Sequence, residues 1–312
     1  MSLELHYVAP PSVTDALGRL GRTEDVRFSP GNRRLAVASF HRNRVVVFDI
    51  DIAASAGAPR VALIGGVELS APALQWPHGV EFIDDETLLV TSRGRDVALF
   101  TLPPGKTGVP SHEVIPIAQW PADRTSFLDA PGSVMATRIA DDACEVLICD
   151  HDGHTVTRHR LDRGAGGALR HSEILLQKCL SIPDGVSVSP NRHPVARVRV
   201  MADAVFERGR HNPEEGGPKG LDIDRSSSVL VVTSECQPLA FFDVPALLHL
   251  ALAGDSAREP GALDLSHELS LMEEIRRMAE SATEAHAMQS SLSWRLTAPL
   301  RRVRSAFRRR PG

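Results

Sequence analysis

A turn residue followed by a short alternating strand recurs along the chain at nearly constant spacing. The copies are Thr23-Glu24-Asp25-Val26-Arg27-Phe28, Pro77-His78-Gly79-Val80-Glu81-Phe82, Pro183-Asp184-Gly185-Val186-Ser187-Val188 and Pro218-Lys219-Gly220-Leu221-Asp222-Ile223, with Pro131-Gly132-Ser133-Val134 as a weaker one. The equivalent positions Asp25, Gly79, Gly132, Gly185 and Gly220 lie 54, 53, 53 and 35 residues apart. A fixed period of about 50 residues marks a repeat architecture, in which each unit buries its faces against its neighbours.

Each copy opens the same grammar. In the first unit Leu35 to Phe40 and Val45 to Ile50 follow as apolar runs, and Val61 to Ile64 closes the unit. The second gives Thr87 to Ser92, Asp96 to Phe100 and Glu113 to Ile117; the third gives Glu145 to Asp150, Thr155 to Arg158 and Ser172 to Leu176. The fifth gives Val229 to Ser234 and Leu239 to Asp243. These runs are short, rich in β-formers and bounded by Gly, Pro, Asp and Asn, so they read as strands. Four antiparallel strands per unit predict an all-β chain, a β-propeller with five to six blades visible. The regular four-strand period disfavours a sandwich. Leu5-His6-Tyr7-Val8 is expected to complete the last blade and close the ring. The fourth unit is short, and Val195 to Val200 carries arginines where its equivalents are apolar, so this blade is expected to be degenerate.

Three regions follow: a propeller over 1–245, a helical arm with linker over 246–290, and a basic tail over 291–312. Pro245 to Ala253 reads as a short helix ending at Gly254. Leu269, Met272, Ile275, Met278 and Ala282 repeat at helical spacing and predict an amphipathic α-helix, giving the propeller a C-terminal helical extension. The net charge of −4 hides an asymmetry, because residues 291–312 hold seven arginines and no acid, leaving −11 on the rest. An acidic body would repel phosphates, so no nucleic-acid partner is expected. Trp294, Arg295, Arg301 and Arg302 are the docking candidates of the tail, for an anionic membrane surface or a protein partner, against the plainer alternative of a solvated tail. No apolar stretch is long enough to span a membrane and the N-terminus lacks an apolar leader, so a cytoplasmic protein, at most peripheral to the inner membrane face, is expected. Cys144, Cys149, Cys179 and Cys236 form no metal-type pair and read as reduced, buried thiols.

Loops that start the inner strands and join the second and third strands of each blade open on one face of a propeller. The first set holds Glu24, His78, Pro131, Asp184 and Lys219; the second holds His41, Arg42, Arg93, Arg95, Asp150, His151, Asp152, His154 and Glu235. His78, His41, Arg93, Asp150, His151 and Lys219 are the channel-face ligand candidates. Carboxylates and imidazoles converging there could hold a divalent cation that polarises an ester carbonyl. The competing readings are structural: Asp184 as an Asx-type turn residue, His78 as a channel-lining histidine, and Asp150-His151-Asp152-Gly153-His154 as a tight strand connection. Trp76 and Trp120 precede the second and third units; either could stack on a sugar, but packing between blades is the first expectation. No nucleophile elbow, phosphate loop or His-Glu-x-x-His motif is present.

Residues 20–245 resemble the gluconolactonase/regucalcin-like and YVTN-type propellers, through Pro77-His78-Gly79-Val80, Ile182-Pro183-Asp184-Gly185-Val186 and Ser187-Val188-Ser189-Pro190. That resemblance implies a Glu, an Asn and an Asp as metal ligands on the channel face. Glu24 and Asp184 match, while Pro131-Gly132-Ser133 offers no amide. Ser291-Leu292-Ser293-Trp294-Arg295-Leu296-Thr297-Ala298-Pro299-Leu300-Arg301 resembles an element of bacterial glycosyltransferases and other polysaccharide-biosynthesis proteins. The leading expectation is a non-enzymatic propeller that binds or scaffolds a protein partner or a small glycan-related ligand, requires no cofactor and serves polysaccharide biosynthesis. The alternative is a lactonase or esterase using Ca, Mn or Zn at Glu24 and Asp184.

Overall fold

A computed structural model describes residues 4–249 except 56, 95, 106, 124, 165–166, 178–184, 187–218 and 235–236. Its described strands form the four blades of a β-propeller, three as four-stranded sheets and the first extended to six by β2 and β10, which both add to its outer strand. The chain enters through β1 (Glu4–Leu5), β2 (Tyr7–Val8) and helix α1 (Pro11–Arg19). The first blade is β3 (Thr23–Phe28), β4 (Arg34–Ser39), β5 (Arg44–Ala53) and β6 (Arg60–Ser70). The second is β7 (Pro77–Asp84), β8 (Thr87–Ser92), β9 (Asp96–Thr101) and β11 (Ala118–Pro121), with β10 (Ser111–Glu113) intervening in the chain. The third is β12 (Pro131–Ala140), β13 (Ala143–Asp150), β14 (Thr155–Asp162) and β15 (Ala168–Gln177). The last blade is β16 (Leu221–Ile223), β17 (Val229–Val232), β18 (Ala240–Asp243) and, from the opposite end of the chain, β1.

The apolar runs have a direct physical cause. Successive side chains of a strand point to opposite faces, and here each face meets a different blade. Val46 and Phe48 join the core shared with the last blade, with Val229, Val231 and Phe241. Val45 and Val47 join the core shared with the second blade, with Val80, Leu88 and Phe100. A third core runs between the second and third blades through Leu89, Val97, Val134 and Val146. A strand buried on both faces is therefore a continuous hydrophobic run, as Val45-Val46-Val47-Phe48 is.

The expectation for the N-terminal segment is met in part: Glu4 pairs with Phe242 and Leu5 with Phe241, antiparallel, completing the last blade, while Tyr7 and Val8 pair in parallel with Val61 and Ala62 of β6. Four blades are described; the fourth repeat, with Val195 to Val200, lies outside the described residues. The second blade's outer strand is β11, not Glu113 to Ile117. The segment just before it, β10, instead pairs in parallel with β6 of the preceding blade. Helix α1 is an element the periodicity search missed. Pro11 stands in its first turn, and Val13, Ala16 and Leu17 are buried in the first core. At the other end, residues 244–249 are helical as predicted, and the Asp243 carboxylate accepts the Ala246 amide at 2.9 Å. The chain divides into units Met1–Gly254 and Asp255–Gly312; the amphipathic helix and basic tail, including Trp294, Arg295, Arg301 and Arg302, lie outside the described residues.

Candidate functional site at the channel mouth

Repeat equivalence brings part of the expected set together. Glu24 sits near the start of β3 and is 4% exposed, so its carboxylate must be met by protein groups. Arg22 provides the closest contact, with Nε and Nη2 each 2.5 Å from Oε1. On the other carboxylate oxygen, His78 Nε2 from β7 stands at 3.7 Å and Lys219 Nζ, two residues before β16, at 3.9 Å. Three blades therefore converge on one buried carboxylate. Arg93, just after β8, places Nη2 2.8 Å from His78 Nε2.

An aromatic step borders this polar cluster. Phe40 carries the Arg22 guanidinium 4.9 Å from its ring centre, with His41 5.2 Å and His78 6.3 Å away, both edge-on. Trp76 stacks on Phe40 at 6.5 Å with an interplanar angle of 22°. Yet Trp76 remains 52% exposed. Its backbone is left-handed, with φ of 55°, a costly conformation for a bulky residue that must be held by its surroundings. The holding bonds are present: Trp76 N donates to Asn43 Oδ1 at 2.8 Å, and the Trp76 carbonyl accepts the Arg93 amide at 3.0 Å. Trp120 behaves differently, packing against the core between the second and third blades. The packing expected of both tryptophans is thus fully met by Trp120 alone.

Asp150 does not reach this cluster. Its carboxylate is fully buried and accepts the amides of Asp129 at 2.6 Å, Ala130 at 3.0 Å and Gly153 at 2.5 Å. It ties the β13–β14 turn to the start of β12, which is the strand-connection role. His151 contacts the adjacent Asp152 at 3.1 Å. Asp184 lies outside the described residues, and among the described residues no group of three or more His, Cys, Asp or Glu is arranged to hold a metal ion. Cys144 and Cys149 are buried free thiols. No described helix is long and apolar enough to cross a membrane.

Repeat position revealed Glu24, His78, Arg93 and Lys219. Arg22 and Phe40 were missed because they flank strands rather than occupy the repeated motif. Their only sequence signal is proximity to Glu24 and His41.

No protein-family description matches the chain, and no curated protein does. Solved structures similar to it are distant. A Bacteroides uniformis protein named "putative 6-phosphogluconolactonase" is 13% identical, with 77% of this chain and 59% of that chain covered and a TM-score of 0.38. A Bacteroides fragilis protein of the same name is 13% identical, with coverages of 71% and 55% and a TM-score of 0.37. Hydrazine synthase of Kuenenia stuttgartiensis is also 13% identical, with coverages of 73% and 66% and a TM-score of 0.36. The chain thus spans 59% and 55% of the two Bacteroides proteins.

Proposed function

We propose that the chain is a ligand-binding propeller whose channel mouth seats a small glycan-related molecule. The supporting observation is Trp76: an aromatic face half open to solvent, fixed by Asn43 and stacked on Phe40, whose ring also meets His78 and the Arg22 guanidinium of the Glu24 cluster. A sugar has an apolar face and a polar rim, and binding sites commonly meet such ligands with an aromatic wall and a few placed hydrogen-bonding groups. Titrating neutral sugars, uronic acids and aldonolactones while following tryptophan fluorescence tests this. The reading expects saturable quenching by at least one of them, lost in Trp76→Ala with the circular dichroism unchanged. Quenching that survives Trp76→Ala, or none with any saccharide, overturns it.

A lactonase would need Glu24 to exchange Arg22 and Lys219 for a divalent cation, so the binding reading fits the geometry better. Aldonolactone turnover that rises with added Ca²⁺, Mn²⁺ or Zn²⁺ and disappears in Glu24→Gln would reverse that preference. The basic tail, through Trp294, Arg295, Arg301 and Arg302, is proposed to dock the propeller to a protein partner of polysaccharide synthesis or to an anionic membrane surface. Loss of cosedimentation with anionic liposomes on deleting 291–312 would support the membrane arm.

A further inference from the structure

One residue beyond Glu24, β3 turns a second charged set into the interior. Arg27 is the hub. Its Nη1 lies 3.4 Å from Asp25 Oδ1 and its Nε 3.5 Å from Glu81 Oε2 on β7. The same Nη1 donates to the Leu221 carbonyl of β16 at 2.9 Å. Asp25 also accepts the amides of Val26 at 2.9 Å and Val80 at 3.1 Å. Asp222 of β16 accepts the Phe28 amide at 2.8 Å. The inner strands of the last, first and second blades are thus tied by one network. Asp25 and Glu81 are each 4% exposed.

The charges in this network do not balance. Glu81 is faced by Asp25 and Arg27 from β3, by Asp222 from β16 and by Arg225 just beyond it. From the third blade the Cys144 thiol of β13 senses Glu81, with Arg138 of β12 as its register partner. β8 carries no ionisable side chain, and Arg34, the only one on β4, faces Asp49. His78, earlier on the same strand, acts on Asp25. Buried Asp25 and Glu81 and half-buried Asp222 therefore share the guanidiniums of Arg27 and Arg225. Burial of unbalanced like charge is relieved by holding a proton.

We propose that Glu81 is a proton-operated latch where three inner strands meet, whose protonated form holds the inner strands of the last, first and second blades together and whose ionised form loosens them. Burial, reinforced by Asp222 and Asp25 and opposed by Arg27, raises its carboxyl from the ordinary 4.5 to about 7. Burial raises Asp25 and Asp222 too. The folded state then keeps a proton that the unfolded chain has lost, so this contribution is fully present below pH 4.5 and falls away as pH rises to about 7. His159 works in the opposite sense. Burial, and then His171, lower its imidazole from 6.5 to about 4, so its contribution is lost on acidification through that window. The latch is therefore read as a difference between variants, not from the wild-type profile alone.

The experiment compares the full chain and Glu81→Gln by denaturant unfolding at pH 5 and pH 8. Linkage limits one group to about a tenfold change in the unfolding constant per pH unit. The expected result is that Glu81→Gln gains stability relative to wild type by one to two powers of ten between pH 5 and pH 8, on the order of that limit. At pH 8, the amides of Val80 and Phe28, which donate to Asp25 and Asp222, should exchange faster in wild type than in the variant. An equal stability difference at the two pH values overturns the proposal. If the variant does not fold, the ¹³C shift of the Glu81 carboxyl in wild type decides: titration near 7 supports the latch, and titration near 4.5 overturns it.

Discussion

Single residues show why the inner strands of this ring tolerate so little change. A Cβ on Gly79 would stand 2.5 Å from the Gly132 carbonyl oxygen and 2.8 Å from the Val134 nitrogen, both backbone atoms of the neighbouring blade. A Cβ on Gly220 would stand 2.5 Å from Asp25 Cα. Backbone cannot swing aside, so Gly79→Ala should cost about 2 kcal/mol through overpacking, measured as a lowered urea midpoint; an unchanged midpoint would show that the blades approach less closely. Asp224 is the complementary case. Its carboxylate accepts the amides of Ser226 at 2.9 Å, Ser228 at 2.7 Å and Val229 at 2.7 Å, and the side-chain amide of Asn32 at 3.0 Å. Although burial pushes its carboxyl up, the Ser226 hydroxyl and the amides of Val229, Ser226 and Ser228 hold it below the usual range. Asp224→Ala should cost about 3 kcal/mol through orphaned donors. Acidification of wild type below about pH 4 should remove the same support, because the depressed carboxyl contributes only while ionised. At this scale the sequence revealed the glycines and the mouth residues, since both recur at the repeat positions. It did not reveal the Arg27 network. Asp25, Arg27, Glu81 and Asp222 alternate with apolar residues like ordinary solvent-facing strand positions, and only the meeting of three blades buries them.

At the scale of elements, strands were readable and their partners less so. The outer strands β6 and β15 fall on their expected segments, but the second blade takes β11 because β10 has crossed to β6. Parallel addition to a neighbour's edge leaves no local signature, since pairing depends on where a long loop travels. Helix α1 escaped for another reason. At nine residues it is short, and its apolar face (Val13, Ala16, Leu17) is stabilised by tertiary burial rather than by propensity. One of the two shortest described strands completes a blade. β1 contributes two residues, yet it completes the last blade and covers the edge of β18. Deleting residues 1–8 should expose that edge. The expected outcome is a lower melting temperature together with concentration-dependent self-association, followed by light scattering. A truncated chain that stays monomeric at unchanged melting temperature would remove β1 from its closing role.

For the whole molecule, the repeat indicated the propeller architecture; four blades are described, and most of the fourth copy, Pro183 to Val188, lies outside the described residues. Three other copies bring His78 and Lys219 to the buried Glu24 carboxylate, with Trp76 stacked on the nearby Phe40. That convergence is the central claim, and amide and indole shifts of the ¹⁵N-labelled full chain test it most directly, recorded while neutral sugars, uronic acids and aldonolactones are added in turn. With a binding saccharide, the account predicts saturable shifts concentrated on the Trp76 indole and on the amides of Asn43, His78 and Lys219. Shifts gathered elsewhere on the ring, or no shift with any of the three classes, would contradict it.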